Sequence, residues 1–417
     1  MSELLITGGT RLGGAVTVHG AKNSALPILA ACVLCRGECT LHRCPALSDV
    51  QASIDILRHV GCTVTQENDT VTVNASDVTG NDIPEHLMRK TRSSIVFLGA
   101  LTARTGEARV SLPGGCELGP RPIDLHLEGL SRLGASITEH HGCLQCTLSG
   151  HFFGEAISLS FPSVGATENI LLAAATAKGT TVLTGGAREP EIFDLIAFLR
   201  AAGARIEVRP DAFVIEGVPA LHGCSHTIIP DRIEAATYLS AGAVTGGTLL
   251  VSPVVPEHLA PVLPLFSECG CHLKQWEESL LLTAPPRLLP LKLVRSLPHP
   301  GFPTDAVAPL LAAVTTANGV SVFVETIFES RYKYVDELRR LGANVKTEGR
   351  VAVVEGVARL QAADVRCTDL RGGAALVVAA LAAEGTTKIT ALHHLDRGYF
   401  DLCRGLQSLG AVAQRLP

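Results

Sequence analysis

Three hydrophobic patterns recur along the chain. Nearly unbroken apolar runs, such as residues 25–35 and 372–383, predict helices buried on every side. Mixed runs, such as residues 194–200 and 336–340, predict amphipathic helices that a glycine closes at the C-terminal end. Strict alternation, as in Thr63-Val64-Thr65 and Val71-Thr72-Val73 about Asn68-Asp69, predicts a hairpin, and Gly179-Thr180-Thr181-Val182-Leu183 predicts a short strand.

These patterns repeat. A helix-closing glycine followed by a small residue falls at Gly61, Gly134, Gly203, Gly270, Gly342 and Gly410, at intervals of 67 to 73 residues. A second glycine opens a β-rich segment 23 to 28 residues earlier, at Gly37, Gly106, Gly179, Gly247, Gly319 and Gly385. Six units of about 70 residues, each β-α-β-α-β-β, account for the 417 residues. Units of this size exceed the usual solenoid repeat, so two closed groups of three are expected rather than an open stack.

Composition narrows the class. Hydrophobic residues make up 47% and aromatics only 4%, with 40 glycines, which suits packed α/β cores and neither disorder nor coiled coil. A net charge of −5 offers no general attraction to nucleic acid or to an anionic membrane. The longest uncharged stretches, 237–256 and 306–324, are broken by Gly246-Gly247, Pro253 and Asn318-Gly319 and do not read as membrane spans. The N-terminal residues lack a basic segment followed by an apolar one, and thirteen scattered cysteines suit reduced thiols, so a cytosolic location is expected.

Basic residues stand at or just before predicted helix starts: Lys22, Arg92, Arg121, Arg188, Arg232, Arg331, Arg371 and Arg397. A cation there opposes the helix dipole by about 0.3–1 kcal/mol. An anion resting between helix ends and side chains would reverse that sign, which predicts a cleft for a small, highly charged anion such as a phosphate-carboxylate. No Walker loop or G-x-G-x-x-G accompanies the pattern. The loop Leu112-Pro113-Gly114-Gly115-Cys116-Glu117-Leu118-Gly119 instead carries a thiol five residues before Arg121, where nearby cations would favour the thiolate; a buried, inert Cys116 is the alternative. Asp305, ahead of an apolar helix, is a candidate acid or base, or, with Thr304, a helix cap. Cys32/Cys35 with Cys39 and Cys44, and Cys143/Cys146, have zinc-like spacing, but their apolar or alternating settings favour packing. His393-His394 lacks a third ligand at helical spacing.

Gly20-Ala21-Lys22-Asn23-Ser24-Ala25-Leu26-Pro27-Ile28, the stretch 112–126, Ser163-Val164-Gly165-Ala166-Thr167, Arg188-Glu189-Pro190-Glu191-Ile192, Pro230-Asp231-Arg232-Ile233-Glu234, Phe302-Pro303-Thr304-Asp305, Glu325-Thr326-Ile327-Phe328-Glu329, Thr368-Asp369-Leu370-Arg371 and Asp396-Arg397-Gly398-Tyr399 run in order through the chain. Together they resemble the UDP-N-acetylglucosamine 1-carboxyvinyltransferase family of enolpyruvyl transferases. The sister enzymes that make enolpyruvylshikimate phosphate share the fold but carry a different N-terminal Lys-Ser motif and lack the cysteine.

The resemblance implies a two-lobed inverse α/β barrel, three units per lobe around a cleft, with residues 22–229 forming one lobe and 1–21 plus 230–417 the other. It implies transfer of the enolpyruvyl group of phosphoenolpyruvate to the 3-hydroxyl of UDP-N-acetylglucosamine, with release of phosphate, the first committed step of peptidoglycan synthesis. No metal or cofactor is implied. Cys116 would donate the proton, form the phosphoenolpyruvate adduct and react with the epoxide fosfomycin. Asp305 would be the base. Lys22, Arg121 and Arg397 would clamp phosphoenolpyruvate, with Arg331 and Arg371 on its carboxylate and on the tetrahedral intermediate, and Asp369 beside them. Asn23, Arg92, Arg121, Pro122, Ile123, Asp124, Leu125, Phe161, Pro162, Ser163, Val164, Asp305 and Ile327 would line the UDP-sugar. Two positions depart from the family pattern: Ala306-Val307 replaces a bulky apolar residue followed by Gln, and Tyr334 replaces His. A slower paralogue, a different enolpyruvyl acceptor and a UDP-sugar sensor without turnover remain open alternatives.

Overall fold

The computed structural model describes residues 2–112 and 122–417. The chain divides into two compact units, one holding residues 20–112 and 122–229, the other residues 2–19 and 230–417. Each holds three copies of the same α/β motif, built on three four-stranded sheets. Among the described residues no sheet closes into a barrel.

In the unit 20–229 the copies are organised by the buried helices Lys22–Cys32, Phe97–Thr105 and Val164–Ala174. In the other, Arg232–Val244, Thr304–Ala313 and Leu370–Ala382 do the same and pack against one another. These six are buried on nearly every side, and two of them correspond to the nearly unbroken apolar runs 25–35 and 372–383. A helix polar on no face can satisfy its surface only at the centre of a core, so the amphipathic helices and sheets are left to cover it. Alternating burial along strands such as Thr248–Ser252 and Val351–Glu355 puts one sheet face inward and the other in water.

The glycine period has a conformational cause. All six helix-closing glycines adopt left-handed backbone, with φ between 86° and 103°, which ends the helix without the Cβ clash of other residues. Five of the six strand-opening glycines are also left-handed. Gly247 is not; Gly246 takes the positive φ, while a Cβ on Gly247 would stand 2.4 Å from the Leu12 carbonyl oxygen.

Each unit closes on itself by strand exchange. Ser225–Thr227, at the end of the unit 20–229, lies parallel to Glu38–His42 near its start. In the other unit Gly13–Thr17 pairs in parallel with Thr248–Ser252. There the N-terminal strand Glu3–Thr7 inserts between Thr386–Thr390 and Val412–Leu416, antiparallel to both, and so supplies the last strand of the sixth copy.

The helix expected over residues 25–35 is displaced. It runs Lys22–Cys32, and Cys35 already belongs to the strand Cys35–Arg36. Uniform burial removes the periodic signal that marks a helix end, so its boundaries cannot be read from hydropathy alone. Among the described residues no helix is long and apolar enough to cross a membrane.

Candidate active site

The charged residues of the unit 2–19 with 230–417 meet at the start of the helix Thr304–Ala313. Asp305 sits in its first turn, where free N–H groups favour a carboxylate. Arg331 Nη2 donates to one carboxylate oxygen at 2.7 Å; Arg371 Nε and Nη2 donate to the other at 3.1 and 3.0 Å. The guanidiniums are 1% and 2% exposed, whereas Asp305 keeps 25% of its side-chain surface. Burial alone would raise the Asp305 pKa, but Arg371 and then Arg331 outweigh it and hold the carboxyl far below its ordinary 3.8. The expected cap does not form: Pro303 occupies the N-cap position, and Thr304 donates its hydroxyl to Glu325 instead.

The fork is held from several directions. Arg331 also donates through Nε and Nη2 to the Thr304 carbonyl at 3.2 and 2.7 Å, and its guanidinium carbon lies 5.4 Å from the Phe328 ring centroid. Arg371 stands 5.3 Å from the centre of Tyr399, while its buried Nη1 has no hydrogen-bond partner among the described residues. That orphan edge could serve an additional acceptor. Asp369 caps the helix Leu370–Ala382 by accepting from the backbone N–H of Arg371 and Gly372 at 3.0 and 2.9 Å, which fixes the stem of Arg371. Arg397 lies at the end of the 3-10 turn Leu392–Arg397, after Asp396, which pairs with Arg415 through two contacts of 2.7 Å.

Glu325 is the structural hub that sequence reasoning passed over. It is 1% exposed, and one oxygen accepts from Ser296 at 2.8 Å and from the N–H groups of Ile327 and Phe328 at 2.7 and 3.1 Å. The other oxygen accepts from Thr304 at 2.8 Å. Ile327 is thereby tied to the helix that carries Asp305. A Glu directly after a strand carries no sequence signal for this; only the folded loop brings four donors onto it.

In the unit 20–229, Lys22 begins its helix and pairs with Asp49 at 2.6 Å, both nearly buried. Asp49 lies in the first turn of the helix Ser48–His59, where sequence alone marks it as a dipole complement. Ser24, one turn into the Lys22 helix, donates to Asp194. Asp194 also meets His226 Nε2 at 2.8 Å and accepts from Ile229 N at 3.3 Å. The helix start bearing Lys22 and half-buried Asn23 is thus pinned to the segment that leaves the unit.

The remaining positions are spread over helix starts. Arg92 opens the 3-10 turn Arg92–Val96 before a central helix, and Asp124 and Leu125 open Asp124–Arg132, with Pro122 and Ile123 just before it. Phe161 is 44% exposed, Pro162 follows it, Ser163 caps the helix Val164–Ala174 and Val164 begins that helix. Behind them Asn169 bridges His126 Nδ1 at 2.9 Å, the Ile95 carbonyl at 3.0 Å and Gly99 N at 2.8 Å. Arg188 has a structural role: it donates to the Arg209 carbonyl at 2.8 Å and lies over Phe193 and Phe213. Cys116 and Arg121 fall outside the described residues.

Among the described residues no group of His, Cys, Asp or Glu is arranged to hold a metal ion. Cys143 and Cys146 sit three residues apart on the strand Cys143–Thr147, an odd separation that points them to opposite faces; Cys146 is buried, and Cys143 accepts from Arg109 Nε at 3.2 Å. The two departures from the family pattern are both buried. Val307 is 1% exposed, and Tyr334 is fully buried with its hydroxyl unpaired and with Arg331 and Asp369 close enough to influence its titration.

This sequence and fold have known counterparts. Residues 6–406 match the family described as EPSP synthase (3-phosphoshikimate 1-carboxyvinyltransferase), and the chain belongs to this enolpyruvyl transferase family. Two relatives match from end to end. The UDP-N-acetylglucosamine 1-carboxyvinyltransferase 2 of Caldanaerobacter subterraneus is 49% identical, covering 100% of both chains. The UDP-N-acetylglucosamine 1-carboxyvinyltransferase 1 of Halalkalibacterium halodurans is 43% identical, covering 100% of this chain and 95% of the relative. The enolpyruvyl transferase NikO from Streptomyces tendae superposes with a TM-score of 0.90 at 29% identity, covering 100% of this chain and 99% of that one. EPSP synthase from Acinetobacter baumannii, at 17% identity and a TM-score of 0.75 with full coverage of both chains, shares the fold.

Proposed function

We propose that this chain transfers the enolpyruvyl group of phosphoenolpyruvate to the 3-hydroxyl of UDP-N-acetylglucosamine and releases phosphate, the entry step of peptidoglycan synthesis. The observation that supports it most directly is the pair of buried guanidiniums, from two different repeats, closed on one carboxylate at a helix start. Such a fork matches a substrate carboxylate or phosphate in charge and geometry. The end-to-end relatives supply the identity of the sugar acceptor.

The chemistry requires an acid and a base. Protonation at C3 makes C2 of phosphoenolpyruvate electrophilic; the sugar oxygen attacks as its proton is removed; loss of the C3 proton then expels phosphate. Cys116 is assigned the C3 proton and Asp305 the hydroxyl proton. Bound to two guanidiniums, Asp305 is a very weak base. An incoming anion that draws Arg331 and Arg371 towards itself frees that carboxylate and raises its pKa, so anion binding and activation of the base become one event. Lys22, Arg121 and Arg397 complete the clamp, with Asn23, Arg92, residues 121–125, residues 161–164 and Ile327 assigned to the UDP-sugar. Tyr334, beside Arg331, bears on rate rather than on ligand identity.

The test is phosphate release from phosphoenolpyruvate. Release that depends on UDP-N-acetylglucosamine is the expected result. Release driven by shikimate 3-phosphate would place the chain with the sister activity, and binding of the UDP-sugar without release would make it a sensor. Fosfomycin should label Cys116 in a time-dependent way, seen as a mass shift on its peptide.

A further inference from the structure

Four thiols that the proposed chemistry leaves unused come together where the unit 20–229 closes. Cys32 ends a central helix, Cys35 lies on the strand Cys35–Arg36, Cys39 on Glu38–His42, and Cys224 just before Ser225–Thr227. The first three are 0–1% exposed; Cys224 is half-buried. All four are free, and no metal-holding group exists among the described residues. Cys35 directs its thiol to the Ala31 carbonyl at 3.8 Å.

The strand register sets the geometry. Ser225 pairs with Thr40 in parallel, and Thr40 N donates to the Cys224 carbonyl at 2.9 Å, so Cys224 stands beside Cys39 one residue back along the same ladder. Neighbouring parallel strands lie about 4.7–4.9 Å apart, with paired side chains on one face. A disulfide accepts Cα separations of about 4.4–6.8 Å. Electrostatics adds a direction: the Cys39 pKa is pulled down by donation from Cys224, then from Cys32 and Cys35, while the Cys224 pKa is pushed up. The cluster therefore favours a thiolate at Cys39, with its exposed route through Cys224.

We propose that Cys39 and Cys224 form a reversible disulfide, a redox staple across the strand that closes the three-repeat ring. The oxidant is a hydroperoxide. The Cys39 thiolate attacks the peroxide oxygen, which enters past the half-buried Cys224, and gives a Cys39 sulfenic acid and one water (an alcohol for an organic hydroperoxide). The Cys224 sulfur then displaces hydroxide from that sulfenic acid as its thiol proton is lost, and protonation of the hydroxide yields a second water. Two thiols lose two electrons and two protons, and the peroxide O–O bond takes them up. Cys39 opens the first sheet of the unit and Cys224 precedes its last strand, so the bridge ties the unit's two ends together. The other unit has no counterpart: Gly13–Thr17 and Thr248–Ser252, which close it, contain no cysteine.

Hydrogen peroxide added to the full-length protein, followed by non-reducing digestion and mass spectrometry, tests this directly. The expected product is a linked pair of peptides containing Cys39 and Cys224, two hydrogens lighter than their sum and separated by dithiothreitol. Oxidation should raise the thermal midpoint of this unit by several degrees, because a long loop is closed in the unfolded chain. Cys224→Ser should abolish both the link and the shift while its reduced midpoint stays at the wild-type value. Oxidation confined to Cys116, a disulfide among Cys32, Cys35 and Cys39 only, or a metal ion retained on the native protein with all four thiols unreactive would each overturn the proposal.

Discussion

The two units share a repeat, a glycine period and a ring closure, yet they pair their buried cations differently. In the unit 2–19 with 230–417, two guanidiniums from different repeats converge on the single carboxylate of Asp305. In the unit 20–229 buried Lys22 pairs with Asp49, and Glu168 and Glu191 are buried at 6% and 4% exposure. Burial raises the Glu168 pKa well above its ordinary 4.5, with Glu191 and then Glu189 adding to the effect. The difference teaches that the fold fixes where helices begin but not the sign of the charge there. Chemistry was written into the few positions that the packing leaves free.

The sharpest way to break this contrast is Asp305→Ala. It strands two buried cations at once and should cost about 3–5 kcal/mol of stability, read as a lowered denaturant midpoint. Asp305→Asn should keep more stability but reduce kcat by about 10²–10⁴ if the carboxylate is the base. Arg371→Lys removes the two-pronged contact while keeping the charge. A rise of about 10–100-fold in KM for phosphoenolpyruvate is expected, with a smaller change for the UDP-sugar, and equal changes in both would argue against the carboxylate clamp.

Acid and base titration should separate Asp305 from Glu168 by sign. Asp305, with its pKa depressed, contributes stability that is complete above its ordinary 3.8 and is lost as pH falls below that value. Glu168, with its pKa raised, contributes stability present below its ordinary 4.5 and lost as pH rises through the interval up to its folded value. Glu168→Gln should therefore flatten the neutral-side decline, by no more than about 1.4 kcal/mol per pH unit. Chemical denaturation at several pH values measures this; an unchanged slope would show that Glu168 does not carry the effect. The smallest effect is expected from Tyr334→Phe. Its hydroxyl is buried and unpaired, so deleting it should gain about 1 kcal/mol in thermal or denaturant unfolding.

Much of this arrangement was legible in the sequence, for identifiable reasons. The glycine period could be seen because left-handed helix ends tolerate little else, and buried helices such as 372–383 because their runs are almost wholly apolar. Arg331 and Arg371 stood out as cations at the wrong end of helices. Their partner arrangement did not, because Asp305 reads as an ordinary first-turn acid until a loop and a helix start bring guanidiniums from 26 and 66 residues away. Glu325, Asp194 and Asp49 were hidden for the same reason. Each is an unremarkable acidic residue whose role depends on at least one donor supplied by a distant segment.

Sequence by itself determined the six-fold repeat, the α/β class and the family, since these rest on local backbone preference and on residues conspicuous one at a time. Tertiary structure alone decided which carboxylate neutralises which cation, how Glu3–Thr7 completes the last repeat, and that Cys224 comes to lie beside Cys39. Those pairings join segments distant in sequence, and their free energy depends on burial and distance, which no local pattern encodes.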